Sequence, residues 1–169
     1  IVLRTITHSG QVLYIKASPP GDESQAAIAS LLSNAHPQLV HCIHSDIGKG
    51  IQVLAYIPGK QLSGDFDTTD GLKAVGCLLA ELHQLHIAPS MIPLSKWCND
   101  LITPRCNVPP EIAVNMARCE RLLATSSAPT WLHGDLHHGN IIQNSETGQL
   151  VAIDPKGLFG DPTFDICTF

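Results

Sequence analysis

The sequence predicts an α+β fold in two unequal lobes, residues 1–57 and 58–169. The first observation is a succession of short apolar runs before residue 57, rich in β-branched residues and bounded by Gly, Pro and Asp. The second is a switch to three-four apolar spacing after Pro58-Gly59, the signature of amphipathic helices. The third is a return to short apolar runs on either side of a loop rich in His, Gly and Asp at residues 133–140.

Each element follows from these patterns in order. Ile1–Thr7 reads as a strand, His8–Gly10 as a turn and Gln11–Lys16 as a second strand, making a hairpin that ends on a lysine. Pro19-Pro20-Gly21 interrupts the chain, and Asp22–Leu32 reads as a helix with acidic residues at its start. Leu39–His44 and Gly50–Ile57 read as further strands around a turn through Asp46 and Gly48, and Pro58-Gly59 closes the lobe. Leu72, Val75, Leu79, Leu82 and His86 then mark one stripe of a helix ended by Pro89. Pro109-Pro110 starts another, with Ile112, Met116, Cys119 and Leu123 on one face. Asn140-Ile-Ile and Leu150–Ile153 flank the turn-forming Gln143–Gln149, a hairpin.

Composition narrows the function. A hydrophobic fraction of 44% and a charged fraction of 15% suit a globular protein. No apolar run approaches the ~20 residues of a membrane span, and the first residues lack a signal-peptide pattern. A net charge of -5 disfavours nucleic acid, which needs clustered cations, and suits a cationic partner. The six cysteines show no Cys-x-x-Cys, and Cys77 and Cys119 fall on the apolar faces of the expected helices. They read as buried free thiols, which points to a reducing, cytoplasmic setting. His83 and His86, three apart, lack the Cys or carboxylate companions of a zinc site and read as structural or exposed. His133, His137 and His138 stand too close in one loop to converge on one ion. His137 and His138 are expected to pack the loop or touch nucleotide or substrate.

The chemistry lies in His133-Gly-Asp-Leu-His-His-Gly-Asn140 and in Asp154 of Ala152-Ile-Asp-Pro. Phosphoryl transfer from a magnesium nucleotide needs a carboxylate to orient and deprotonate a hydroxyl, and oxygen ligands for the metal. Asp135 suits the first task, and Asn140 and Asp154 the second. The D-L-x-x-x-N spacing matches a kinase catalytic loop followed by a metal-binding aspartate. The hairpin would carry one metal ligand at each outer end. Lys16, on a strand upstream, suits the α/β-phosphates of ATP. Glu23 is either its ion-pair partner or simply an acidic helix start. An adenine ring would lie against the connector Ala55-Tyr56-Ile57, bonding its backbone, and His138 is a further expected nucleotide contact.

Leu13-Tyr-Ile-Lys-Ala-Ser-Pro-Pro-Gly21, Pro93-Leu-Ser-Lys-Trp97, Trp131–Asn140, and Ala152-Ile-Asp-Pro-Lys156 through Gly160-Asp-Pro162 to Asp165 together carry a resemblance. The chain resembles the aminoglycoside phosphotransferases, and within them the streptomycin 6-kinase branch, the aminoglycoside/hydroxyurea antibiotic resistance kinases. The resemblance implies a two-lobed protein-kinase-like fold binding ATP and Mg²⁺ in its cleft. It makes Asp135 the base, Asn140 and Asp154 the metal ligands, Lys16 the phosphate lysine and Asp165 a brace of the catalytic loop. The implied reaction moves the γ-phosphate to a hydroxyl of streptomycin. The pattern also departs from the family. No glycine-rich loop precedes Lys16, Glu23 falls early, near where Ala27 would carry the family glutamate, and the family continues with helices beyond Phe169. These departures suggest an internal segment of a longer protein, incomplete at both ends of the fold. Kinases of other small hydroxylated molecules, and a catalytically silent nucleotide-binding domain, are the alternative readings.

Overall fold

The computed structural model describes residues 1–19, 36–86, 91–99, 109–125 and 128–169. Within them the strands β1 (Val2–Ile6), β2 (Val12–Ala17), β3 (Cys42–Asp46) and β4 (Ile51–Ala55) form a four-stranded sheet in the order β1-β2-β4-β3. The β1–β2 hairpin is the predicted one. Val2 pairs with Lys16 and Ile6 with Val12, and the turn closes through Thr7 N–H to Gln11 O at 2.9 Å. Lys16 stands opposite Gln52 of β4, whose side chain is buried.

β3 begins later than the apolar run Leu39–His44 predicts. Leu39 and Val40 are both buried, so they do not alternate as a half-buried strand must. Their backbone turns instead to the C-terminal hairpin: Val40 N–H donates to Ala152 O at 3.0 Å, and Ala152 N–H to Gln38 O at 2.8 Å. At the other end of β3, Asp46 accepts from Lys49 N–H at 3.2 Å and caps a short 3₁₀ turn.

Pro58-Gly59 does more than break the chain. Gly59 opens β5 (Gly59–Gln61), a strand with no apolar pattern, which pairs with β8 (Ile141–Asn144). Gly59 has φ +152°, and a Cβ there would lie 2.0 Å from Gln143 O, so only glycine lets the backbones approach. β8 in turn pairs with β9 (Leu150–Ala152), giving a three-stranded sheet β5-β8-β9 built on the predicted hairpin.

Helix α1 (Thr69–Leu82) is capped by the Thr68 hydroxyl, which accepts from Gly71 N–H at 3.1 Å. Its buried residues are Gly71, Val75, Leu78, Leu79 and Leu82. The stripe is therefore rotated from the expected one, leaving Leu72 half exposed and His86 exposed. The helix also stops before Pro89, at Leu82, where the chain tightens into i→i+3 bonds from Gln84 N–H to Glu81 O and from Leu85 N–H to Leu82 O. The short strand β6 (Ile92–Pro93) leads into α2 (Leu94–Trp97). Helix α3 (Pro110–Thr125) starts where the proline pair predicts, but of its expected face only Met116 and Leu123 are partly buried.

β10 (Leu158–Gly160) runs parallel to β6 and antiparallel to β7 (Thr130–Leu132), and α4 (Thr163–Thr168) follows. The main apolar cluster joins α1, the 39–42 segment, Trp131, Leu136, Ile141 and the hairpin. Burying each such Leu or Ile contributes ~1.5–3 kcal/mol. Leu94, Cys98, Leu132 and Leu158 form a second cluster.

The cysteine expectation needs correction. Among the described residues Cys42 and Cys98 are buried, whereas Cys77, Cys119 and Cys167 are free and exposed. Cys77 lies on the side of α1 away from Val75 and Leu82, and α3 buries too little for Cys119 to be covered. Burial pushes the Cys42 and Cys98 thiols up, with the nearby Cys119 adding to the rise at Cys98. No helix among the described residues is long and apolar enough to cross a membrane.

Candidate active site

The loop after β7 is built from the inside outward. Asp165 at the start of α4 is fully buried, and its carboxylate accepts from His133 N–H and Gly134 N–H, both at 2.8 Å. The same carboxylate meets His83 Nε2 at 3.1 Å. Gly134 has φ +82°, and a Cβ there would come within 2.8 Å of Leu158 and 3.0 Å of Lys156 Cβ. Glycine is thus required for the loop to cross the β10 segment. The His133 ring, also fully buried, reaches Ile153 O through Nε2 at 2.9 Å and accepts Asp135 N–H on Nδ1 at 3.3 Å. A carbonyl can only accept, so Nε2 carries the hydrogen and the ring is neutral. Burial is the main cause that lowers the His133 pKa, opposed by the charges of Asp165, Asp135 and Asp154.

This scaffold turns Asp135 outward. Asn140 Nδ2 donates to Asp135 O at 2.8 Å, which fixes the amide orientation and leaves its oxygen as the group available to a ligand. Ile153 N–H donates to Asn140 O at 2.8 Å, so the two ends of the β8–β9 hairpin are tied together. Asp154 follows with φ +60°, the left-handed region that a non-glycine residue seldom occupies. Strain of this kind costs ~1–3 kcal/mol and gathers at functional sites. Lys16 reaches across from β2 to pair with Asp154. Lys156 Nζ lies 3.2 Å from Asp135 Oδ2 and 3.6 Å from Asp154 Oδ2.

A cavity of about 560 Å³ opens beside these groups. Lys16, Asn140 and Asp154 contribute to its wall, and so do Ala55, Tyr56 and Ile57 of the expected adenine connector. Tyr14 stacks on Tyr56 with ring centroids 6.3 Å apart, and both line the cavity. Gln61 of β5 lines it as well and donates to Gly139 O at 2.6 Å, fastening the 133–140 loop to β5. The donor set suits magnesium: Asp154 offers a carboxylate and Asn140 an amide oxygen, while that ion takes few protein ligands and completes its shell with water and phosphate. A dense His, Cys or carboxylate cluster of zinc type does not occur among the described residues.

His138, expected to pack the loop or touch nucleotide, is not among the residues lining this cavity: its Nε2 meets Asp67 Oδ1 at 2.9 Å and its ring stacks on Phe169 at 4.3 Å. The helix expected at Asp22–Leu32, with Glu23, lies outside the described residues. His83, expected to be structural or exposed, is structural, but nothing local marks a helix C-cap as the partner of a carboxylate 82 residues later. Sequence reasoning gave no role to Lys156, although the residue stands two positions after Asp154.

Comparison with known proteins bears on the family and the fold. Residues 16–168 match the model of the phosphotransferase enzyme family. The streptomycin 6-kinase of Streptomyces griseus is 25% identical over 178 aligned positions, spanning 98% of this chain and 57% of that protein. The streptomycin 3''-kinase of Klebsiella pneumoniae is 40% identical over 80 residues, 46% of this chain and 28% of that protein. The chain therefore spans little more than half of the longer-matched relative. Among solved structures, the choline kinase LicA of Streptococcus pneumoniae superposes with a TM-score of 0.68 at 19% identity, over 98% of this chain and 63% of that one. LicA in complex with AMP gives 0.67 at 20% identity, over 95% and 60%. The fold is thus the protein-kinase-like one that the resemblance implies.

Proposed function

This chain belongs to the phosphotransferase enzyme family, and we propose that it moves the γ-phosphate of ATP to a hydroxyl of an aminoglycoside, streptomycin foremost. The observation that carries the reading is that Lys16, Asn140 and Asp154 share the wall of one cavity, with Asp135 tied to Asn140 through its carbonyl and to Asp154 through Lys156. ATP lies with its adenine against Ala55-Tyr56-Ile57 and its phosphates toward Lys16. Asn140 and Asp154 would hold Mg²⁺, which would supply charge neutralisation for the phosphate oxygens. Asp135 orients the acceptor hydroxyl and takes its proton as that oxygen attacks the γ-phosphorus and the bond to the β-phosphate oxygen breaks, leaving ADP. Residues 1–57 form the nucleotide-covering lobe and 58–169 the catalytic lobe, and the reaction belongs in the cytoplasm, where ATP is supplied.

Streptomycin is favoured by the two relatives named for it, and their different positions, 6 and 3'', leave the modified hydroxyl for experiment. The test is mass spectrometry of streptomycin after incubation with MgATP and the longest protein in which these residues occur. One added phosphoryl group, absent with Asp135→Asn, is the expected result. ATP bound without transfer to streptomycin, choline or sugar acceptors would instead support a silent nucleotide-binding domain.

A further inference from the structure

Lys156 has no part in the function proposed above, yet it occupies the most consequential position of any cation in the site. Its ammonium lies between the base and the metal ligand, 3.2 Å from Asp135 Oδ2 and 3.6 Å from Asp154 Oδ2. We propose that Lys156 is the positioning residue of this phosphotransfer: it holds Asp135 by one carboxylate oxygen so that the other faces the acceptor hydroxyl. The inference rests on the phosphotransferase reading of the same site.

The geometry separates Lys156 from an ordinary surface ion pair. Its backbone N–H donates to His133 O at 2.6 Å, so it is pinned to the residue whose ring also holds the Asp135 amide. Its stem lies against Gly134, where an added Cβ would come 3.0 Å from Lys156 Cβ. The side chain is 23% exposed, whereas the Lys49–Asp46 and Lys73–Asp70 pairs place lysines at 74% and 72%. A long lysine in water spends conformational entropy to hold one geometry, and this one has much of that geometry imposed by the loop. Asp135 itself divides cleanly. Oδ2 is committed to Lys156, and Oδ1 has His137 Nε2 at 4.0 Å, beyond hydrogen-bond reach. A carboxylate held through one oxygen presents the other at a fixed angle, and base catalysis depends on that angle. The hydroxyl proton therefore goes to Oδ1 while Oδ2 keeps its ammonium partner.

A double-mutant cycle tests this on the longest protein containing these residues. Turnover is read with MgATP and streptomycin, and in parallel as ATP hydrolysis by water, so that an unaccepted drug does not silence the readout. Lys156→Met is expected to lower kcat about 30-fold, less than the ~10²–10⁴-fold of general-base help, because the base itself remains. ATP affinity and melting temperature should stay near the parent's, and Lys156→Arg should restore part of the rate. In the Asp135→Asn background, Lys156→Met should cost less than threefold further, because a residue acting through Asp135 has nothing left to position. Full additivity of the two losses, or a single-variant kcat within threefold of the parent, would overturn the positioning role while leaving the phosphotransferase reading intact. A parent without any phosphoryl transfer, or an Asp135→Asn variant as active as the parent, would overturn both.

Discussion

The 133–140 loop and the β1–β2 hairpin each hold a charged side chain, Asp135 and Lys16, by opposite means. Asp135 is carried by a loop whose supports are inside the protein: His133 and Asp165 are fully buried and hydrogen-bonded to the loop backbone. Lys16 is carried by a sheet in which only Cys42 and Gln52 are buried, and whose outer strand β1 exposes Val2, Leu3 and Ile6. Asp135 is placed by buried polar contacts that tolerate little change. Lys16 is placed by a light sheet and by its pairing with Asp154 across the cavity. In the proposed reaction this difference would give rigidity to the acceptor side and adjustability to the nucleotide side.

The sharpest way to break this comparison is to separate chemistry from scaffold. Asp135→Asn should lower turnover ~10²–10⁴-fold, with ATP affinity and stability nearly unchanged, since its side chain is 40% exposed. Turnover within a few-fold of the parent would remove Asp135 from the role of base. Asp165→Ala should do the reverse kind of damage. It strands two buried backbone donors and His83, at a cost on the order of 3 kcal/mol or more in urea unfolding. Asp67→Ala removes the exposed His138 partner and should cost no more than ~0.5 kcal/mol. Equal losses for the two aspartates would erase the distinction between buried and exposed support.

Much of this organisation is legible in the residues, and the gaps have physical causes. The β1–β2 and β8–β9 hairpins follow from short apolar runs around turn formers, and the start of α3 from Pro109-Pro110. Strands β5, β6, β7 and β10 are two or three residues long and owe their existence to partners far along the chain, so no local pattern announces them. The loop motif brought Asp135 and Asn140 to notice through spacing alone. His138 shared that loop yet faces Asp67 and Phe169, because adjacency in sequence does not fix which way a side chain turns. His83 and Lys156 became visible only when the fold brought them to Asp165 and Asp135.

On the nucleotide side a smaller effect is expected. Lys16→Met should raise the KM for ATP about tenfold, the loss of ~1.4 kcal/mol of charge-assisted contact, while unfolding midpoints shift little. An unchanged KM would mean that the sheet presents its phosphate contact elsewhere, and the light support under β2 would lose its meaning.

The mildest prediction concerns acid. His133 is neutral in the folded chain, with Nε2 donating to Ile153 O and Nδ1 accepting from Asp135 N–H. Burial lowers its pKa below 6.5 despite the opposing charges of Asp165, Asp135 and Asp154. The unfolded chain therefore binds a proton at a higher pH than the folded one. The resulting stability is fully present above about pH 6.5 and is lost as pH falls below that value, at up to ~1.4 kcal/mol per unit from this group. The ring C–H resonance followed by NMR should show no titration step near 6.5. An ordinary midpoint there would show that the ring is not held neutral. A proton on Nδ1 would oppose the Asp135 amide that now donates to it, so turnover per folded molecule should hold through the first loss of stability below pH 6.5 and fall only at the lower pH where the folded ring itself takes a proton.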